Sequence, residues 1–245
     1  MIKISAVSYL NTFPFIYGLN HSETENEFEI TRDVPAKCAE KIINNQTDIG
    51  LIPVAVFPQL PYYKIITDYC IGAVGKVYTV LLLSKIPLNQ ITKIFLDNES
   101  RTSVQLVKVL AKYYWKTEPE WTNIENSKYN DYESVVLIGD KTFTERENYP
   151  YVYDLAEEWY KFTSLPFVFA CWVANKPIEN EFINKLNLLL KNGIDNIENV
   201  INEFADQTPS NVDAKKYYTE YISYNFDENK KKGLELFLKL LKTIQ

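Results

Sequence analysis

The spacing of apolar and polar residues changes period repeatedly along this chain, and each change predicts an element. Ile2 to Val7 predicts a strand, Ala36 to Asn45 repeats apolar positions at helical spacing, and Asp48 to Val54 is a short apolar run bounded by Asp and Pro. Together they form a βαβ rhythm. After a connection rich in proline (Pro53, Pro58, Pro61), Tyr63 to Thr67 and Lys76 to Ser84 predict extended segments. The second is rich in Val, Thr and Tyr, as a long crossover strand is. A change of domain is expected between Ser84 and Asn89. Ile94 to Asp97 predicts the next strand and Ser103 to Trp115 the next helix, with Val104, Val107, Leu110, Ala111 and Tyr114 at helical spacing and Pro119 as a stop.

Val135 to Asp140 predicts a strand ending in Gly-Asp, and Phe167 to Ala174 is a run of β-branched and aromatic residues able to carry the chain back. Beyond it the pattern turns helical over Phe182 to Asn192, Ile194 to Phe204, Lys215 to Tyr221 and Glu228 to Lys242. The stripes Ile194, Ile197, Val200, Ile201, Phe204 and Leu234, Phe237, Leu238, Leu241 read as core-facing. Units of βα that pause, restart and finish in helices point to an α/β protein of two doubly wound lobes, the first discontinuous. The expected division is residues 1–84 with 175–245 for one lobe and 85–174 for the other, with a ligand cleft between them.

Composition narrows the function. With 245 residues, 46% hydrophobic and 24% charged, the chain can bury a full core. A net charge of −6 and a single basic run, Lys230 to Lys232, read as a solvated helix face, argue against nucleic-acid binding. No apolar stretch approaches the roughly 20 residues a bilayer requires. The first residues resemble no signal peptide, so a cytoplasmic protein without a membrane partner is expected, as monomer or homodimer. Cys38, Cys70 and Cys171 are too sparse for a disulfide framework or a zinc knuckle and read as buried small hydrophobes. His21, the sole histidine, lies between Asn20 and Ser22 and reads as a surface residue. Its isolation removes Ser-His and Cys-His pairs and histidine-rich zinc sites, leaving carboxylates, amides, hydroxyls or the substrate itself to move protons.

Ligands of open α/β sheets gather at the carboxyl ends of strands, where helix N-termini offer free N–H groups. Ser8 to Pro14 follows the first strand directly, with Thr12 as a candidate cap, Pro14 suited to a first turn and Asn11 at the cleft mouth. Asp97 to Ser103 follows a later strand and opens a helix with Ser100, Arg101, Thr102 and Ser103. Three hydroxyls and a guanidinium suit a carboxylate or phosphate; equally, Ser100 and Thr102 can be ordinary caps with Arg101 in solvent. Asp140 either accepts from a substrate hydroxyl or caps a turn. Gly72 to Lys76 lacks the spacing of a phosphate loop.

Several of these segments occur together and in order: Ser8 to Thr12, Asp48 to Pro53, Cys70-Ile71 with Gly75 to Val80, Leu96-Asp97 leading to Ser100 to Ser103, Gly139-Asp140, Asp154-Leu155 with Glu158-Trp159, and Leu165 to Ala170 with Trp172. Tyr221 to Tyr224 and Gly233 to Phe237 extend the set. The set resembles the chorismate dehydratases of the futalosine route to menaquinone. The resemblance implies a type II periplasmic-binding-protein-like fold and conversion of chorismate to 3-[(1-carboxyvinyl)oxy]benzoate without metal or organic cofactor. It implies Asn11 as the catalytic residue, with Ser8, Tyr9, Ile52, Pro53, Thr79, Ser100, Arg101, Thr102, Ser103 and Asp140 as substrate contacts. Two positions depart from the pattern: Thr79 stands where serine is usual, and Ser164 where glycine is usual. A sibling family, the 1,4-dihydroxy-6-naphthoate synthases, and a non-catalytic carboxylate-binding protein are the alternative readings; the sibling depends on a histidine in its cleft.

The implied chemistry fits these residue types. Loss of the C4 hydroxyl and the C3 hydrogen makes the chorismate ring aromatic, so the reaction is strongly downhill. The C3 hydrogen is vinylogous to the ring carboxylate, and a helix end holding that carboxylate at Ser100 to Ser103 would stabilise the delocalised carbanion. Asn11 is expected to bond the reacting face or the leaving hydroxyl. The base is then a cleft group or the substrate's own enolpyruvyl carboxylate, since a neutral amide is a poor base.

Overall fold

The computed structural model of the chain describes residues 1–22, 27–97, 99–125 and 128–244. In chain order, β1 (Ile2–Val7), α1 (Phe13–Asn20), β2 (Phe28–Asp33), α2 (Pro35–Ile43), β3 (Ile49–Pro53) and the long β4 (Lys64–Ala73) come first. Next come β5 (Val80–Ser84), β6 (Lys93–Leu96), α3 (Arg101–Leu110), β7 (Glu120–Asn123), β8 (Ser134–Ile138), α4 (Thr142–Glu145), β9 (Tyr151–Asp154) and α5 (Leu155–Thr163). The chain returns through β10 (Phe167–Ala174) and ends in α6 (Asn180–Asp195), α7 (Ile197–Glu203), α8 (Ala214–Lys216), β11 (Ser223–Asn225) and α9 (Glu228–Leu241).

These strands make two mixed sheets, ordered β11-β4-β10-β3-β1-β2 and β7-β6-β8-β5-β9. The α/β, two-lobed class read from the sequence is therefore the observed one. The assignment of two strands differs from expectation. Val80–Ser84 is central to the second sheet, paired with β8 and β9, whereas Phe167–Ala174 lies between β3 and β4 of the first. Expected divisions at 84/85 and 174/175 thus each fall one strand late. In the first case Lys76 to Ser84 is not one strand, because Tyr78 takes a left-handed backbone (φ 73). In the second, every residue of β10 is buried, the signature of a central strand covered on both faces, so it cannot close the second sheet's edge.

Segments with no expected counterpart are mostly edge elements. β2 and β9 end their sheets, as does β7, and Phe28–Asp33 and Glu120–Asn123 have no fully buried position. Edge strands carry polar residues that blur the period-two signal. Lys230 departs from its expected solvated position: it is 0% exposed, and its ammonium donates to Ser223 Oγ and the Asn225 carbonyl, each at 2.7 Å. The basic run therefore has one member turned inward to fasten β11. Cys38, Cys70 and Cys171 are all buried and unpaired, as expected, and His21 is exposed beside Glu203.

Asp154 fastens the crossing between the sheets. Its carboxylate accepts Val77 N–H (3.0 Å) and Tyr78 N–H (2.7 Å) from the incoming segment, and Ala156 N–H (3.1 Å) and Glu157 N–H (3.2 Å) as the N-cap of α5. All four donors would otherwise be orphaned close to the core. The return crossing starts at Ser164, whose left-handed backbone (φ 59) ends α5, so a glycine expected at this position has a conformational reason.

Two stability changes follow. Asp154→Asn puts an amide N–H₂ against backbone donors and is expected to cost about 2–4 kcal/mol in urea unfolding; a change below about 0.5 kcal/mol would refute the anchoring role. Ser164→Gly is expected to raise stability by about 0.5–1 kcal/mol, because it relieves the left-handed backbone, and a loss of stability would contradict that account.

Candidate functional site

Between the two sheets lies a cleft with about 520 Å³ of space not filled by atoms, open solvent at its mouth included. Asn11 enters it from the single turn Leu10–Thr12 that follows β1. Thr79, immediately before β5, and Gly139, immediately after β8, enter from the second sheet, as do Ser100, Thr102 and Ser103 at the start of α3. Asn11 and the α3 hydroxyls follow the carboxyl ends of β1 and β6, the strand ends that the general rule for open sheets nominates, whereas Thr79 comes from the amino end of β5, which runs antiparallel to β8. The walls are apolar, with Pro35, Pro53, Ile71, Ile138 and Phe169 among them.

Of the expected site residues, Tyr9, Asn11, Pro53, Thr79, Ser100, Thr102 and Ser103 line this cleft. Ser8, Ile52, Arg101 and Asp140 do not. Ile52 is fully buried in β3, and Ser8 spends its N–H on the Asp33 carbonyl. Arg101 turns away, its guanidinium 4.0 Å from Glu40 Oε1 on α2. Asn98 of the same loop lies outside the described residues.

The hydroxyls at α3 are not equivalent. Ser100 is the N-cap: its Oγ accepts the Ser103 N–H at 3.0 Å and donates to Ser103 Oγ at 2.8 Å. That leaves the Ser103 hydroxyl proton for a ligand, strengthened by the bond it receives. Thr102 instead ties the lobes together, accepting Ala55 N–H at 3.3 Å and donating to the Phe169 carbonyl at 3.1 Å. Among the described residues, no lysine or arginine lines the cleft. An anion there would be held by neutral donors and the positive end of α3.

Sequence reasoning missed the bonds that close the cleft mouth. Tyr9 donates to Glu99 Oε2 at 2.9 Å, an oxygen that also receives the Lys141 ammonium at 2.9 Å. Lys141 lies 2.6 Å from Asp97 as well. Burial would raise the Glu99 carboxyl, yet Lys141 and Tyr9 together hold it below its ordinary value. The Tyr9 ring lies over Gly139, 3.1 Å from where a Cβ would stand, and the Gly139 backbone is left-handed (φ 72), so a side chain there would be strained and would press on the Tyr9 ring. Asp140, the next residue, accepts the Leu10 N–H at 3.2 Å. It therefore stitches the Asn11 turn to the end of β8, a bond between lobes rather than a cap on the turn that follows it. No motif spacing signals these pairs, because Tyr9 and Glu99 are 90 residues apart in sequence.

A family profile described as menaquinone biosynthesis matches residues 2–243. The chain belongs to this family. A curated relative, the chorismate dehydratase of Thermus thermophilus, is 25% identical, covering 95% of this chain and 92% of its own. Among solved structures, a protein from Archaeoglobus fulgidus superposes with a TM-score of 0.79 at 15% identity over 99% of this chain and 97% of its own. A Candida albicans protein described as having the generic periplasmic binding protein fold gives 0.64 at 11% identity over 99% and 90%. The likeness at these identities is one of fold. No helix among the described residues is long and apolar enough to cross a membrane.

Burial pushes the Asp140 carboxyl up to about 6, against the opposing pull of the Leu10 N–H. Because the folded value is raised, the native state binds a proton that the unfolded chain releases between about pH 4 and 6. Its contribution to stability is therefore greatest below about pH 4 and is lost as pH rises through 6. Carboxyl-carbon NMR of Asp140 is expected to titrate near 6, and the stability difference between the wild type and Asp140→Asn to fall across that interval. A midpoint near 4 would overturn the burial argument.

Proposed function

We propose that this protein is a chorismate dehydratase, a carbon–oxygen lyase that removes water from chorismate to give 3-[(1-carboxyvinyl)oxy]benzoate. The observation that carries this reading is the match along nearly the whole chain to the menaquinone biosynthesis family and its curated chorismate dehydratase. The cleft supports it chemically. Chorismate is a dicarboxylate with a ring hydroxyl, and the cleft offers neutral donors at separated points within apolar walls.

In this reading the ring carboxylate sits at the start of α3, against the Ser103 hydroxyl and the first-turn N–H groups. Loss of the C3 proton leaves a carbanion delocalised into that carboxylate, so the negative charge grows where the helix end is positive. The C3–C4 double bond then forms as hydroxide leaves C4. Asn11 and Thr79, from opposite lobes, face the reacting ring. The enolpyruvyl carboxylate serves as base for C3, because Asn11 is a neutral amide and, among the described residues, neither Asp140 nor another carboxylate lines the cleft. The mouth contacts of Tyr9 with Glu99 and of Leu10 with Asp140 keep bulk water from weakening these bonds. The sibling synthase reading requires a cleft histidine, and His21 lies at the end of α1 with its ring stacked on Tyr17, away from the cleft lining.

The test is incubation of chelator-treated protein with chorismate, followed by mass spectrometry and aromatic absorbance. Loss of one water is expected, and Asn11→Ala is expected to lower kcat by about 100-fold or more while still binding chorismate. Chorismate binding without turnover by the wild type would leave a carboxylate-binding protein, and unimpaired turnover by Asn11→Ala would remove that residue's role.

A further inference from the structure

We infer that Tyr224, on the short edge strand β11, is a positioning residue that holds the Asn11 turn in the cleft through the main-chain carbonyl of Asn11. Its phenol donates to that carbonyl at 3.0 Å, across 213 positions of sequence. The direction of the bond is fixed, because a carbonyl oxygen can only accept. Burial pushes the phenol well above its ordinary value, so it keeps the proton it donates.

The sequence of the turn leaves room for such a donor. Bonds to the carbonyl three residues back run from the Thr12 N–H to Tyr9 and from the Phe13 N–H to Leu10. The series stops at Asn11, because the residue three positions on is Pro14, which has no N–H. Tyr224 supplies a donor to that carbonyl from the edge of the first sheet. The neighbouring groups are held as well. Asp140 of the second lobe accepts the Leu10 N–H at 3.2 Å, and the buried Thr12 hydroxyl donates to Asn11 Oδ1 at 3.0 Å. Asn11 is thus gripped at its main-chain and side-chain oxygens, with the Nδ2 group outside both bonds.

Tyr224 is itself anchored. It is 5% exposed, and its ring packs edge-on against the buried Phe15 of α1, centroids 5.2 Å apart. The buried ammonium of Lys230 donates to the Ser223 hydroxyl and the Asn225 carbonyl, each at 2.7 Å, so it clamps the two residues that flank Tyr224. β11 is only three residues long and lies at a sheet edge, where a strand has few ladder bonds of its own. Lys230 thereby steadies the strand from which Tyr224 reaches Asn11. Loss of the Tyr224 bond would let the Asn11 side chain shift relative to the Thr79 and Ser103 hydroxyls, and misplacement of about 1 Å is enough to slow a reaction about 100-fold. The inference rests on the dehydratase reading for its kinetic test but not for its geometric one.

Tyr224→Phe keeps the ring against Phe15 and deletes the donor. It is expected to lower kcat for chorismate by about 10–100-fold with KM within about 3-fold. Without substrate it is expected to shift the carbonyl-carbon and side-chain amide resonances of Asn11 while those of the second sheet stay in place. A kcat within about 2-fold of wild type, or unshifted Asn11 resonances, would overturn the inference. So would a parallel loss of kcat and chorismate affinity, which marks a merely structural role. In the wild type, the Tyr224 hydroxyl proton is expected to exchange slowly with solvent, and rapid exchange would refute the bond even if the variant did not fold. If the wild type does not turn over chorismate, the proposed function fails, and the resonances alone decide the role of Tyr224.

Discussion

The cleft depends on one buried carboxylate that no substrate touches. Asp154 gathers backbone N–H groups from two segments that meet where the chain passes between lobes, and through Tyr78 it holds a left-handed backbone on a bulky residue. Such a conformation costs on the order of 1–3 kcal/mol, and the bonds to Asp154 offset it. The turn at Tyr78 directs Thr79 toward the cleft and starts β5 in the middle of the second sheet. The same carboxylate caps α5, whose end begins the return crossing.

On that frame the cleft is assembled from groups without formal charge. Lys141 is engaged by Asp97 and Glu99 at the mouth and Arg101 faces Glu40, so these two cations are committed away from the cleft. Donors from the first lobe and the second converge only when the lobes are together. Recognition of an anion then rests on the direction of hydrogen bonds and the positive end of α3 rather than on ion pairing. A site of this kind reads position more strictly than charge, because each donor has a single useful direction.

Much of this was legible in the chain. The βα rhythm and the helical C-terminus are consequences of side-chain periodicity, and the strand-end rule pointed to Asn11, Ser100, Thr102 and Ser103, which line the cleft. The ordered segments pointed to the family. What periodicity does not carry is which sheet an apolar run joins. Val80–Ser84 and Phe167–Ala174 are buried throughout, so neither alternates, and their partners are settled by register with distant strands. The same limit hid Tyr217, which reads as one more aromatic in a helix although its phenol oxygen lies 2.8 Å from Thr79 Oγ1, and Lys230, whose inward turn depends on Ser223 and Asn225 being brought alongside. Arg101 shows the converse: residue type suggested an anion ligand, and the helix face it occupies turned it toward Glu40.

The order of the strands has a consequence for synthesis on the ribosome. The second sheet is built wholly from consecutive residues, β5 to β9, and can close as soon as they emerge. In the first sheet β3 and β4 are not neighbours; β10 lies between them and is made about a hundred residues later. Until it arrives, two apolar strands wait with unfilled edges, a state prone to mispairing. The contiguous lobe therefore completes first and, with Asp154 gripping both ends of its span, presents Phe167 onward at the gap that β10 must fill. The late-made half of the chain also brings Tyr217, so the cleft acquires its last polar support only when translation is nearly finished.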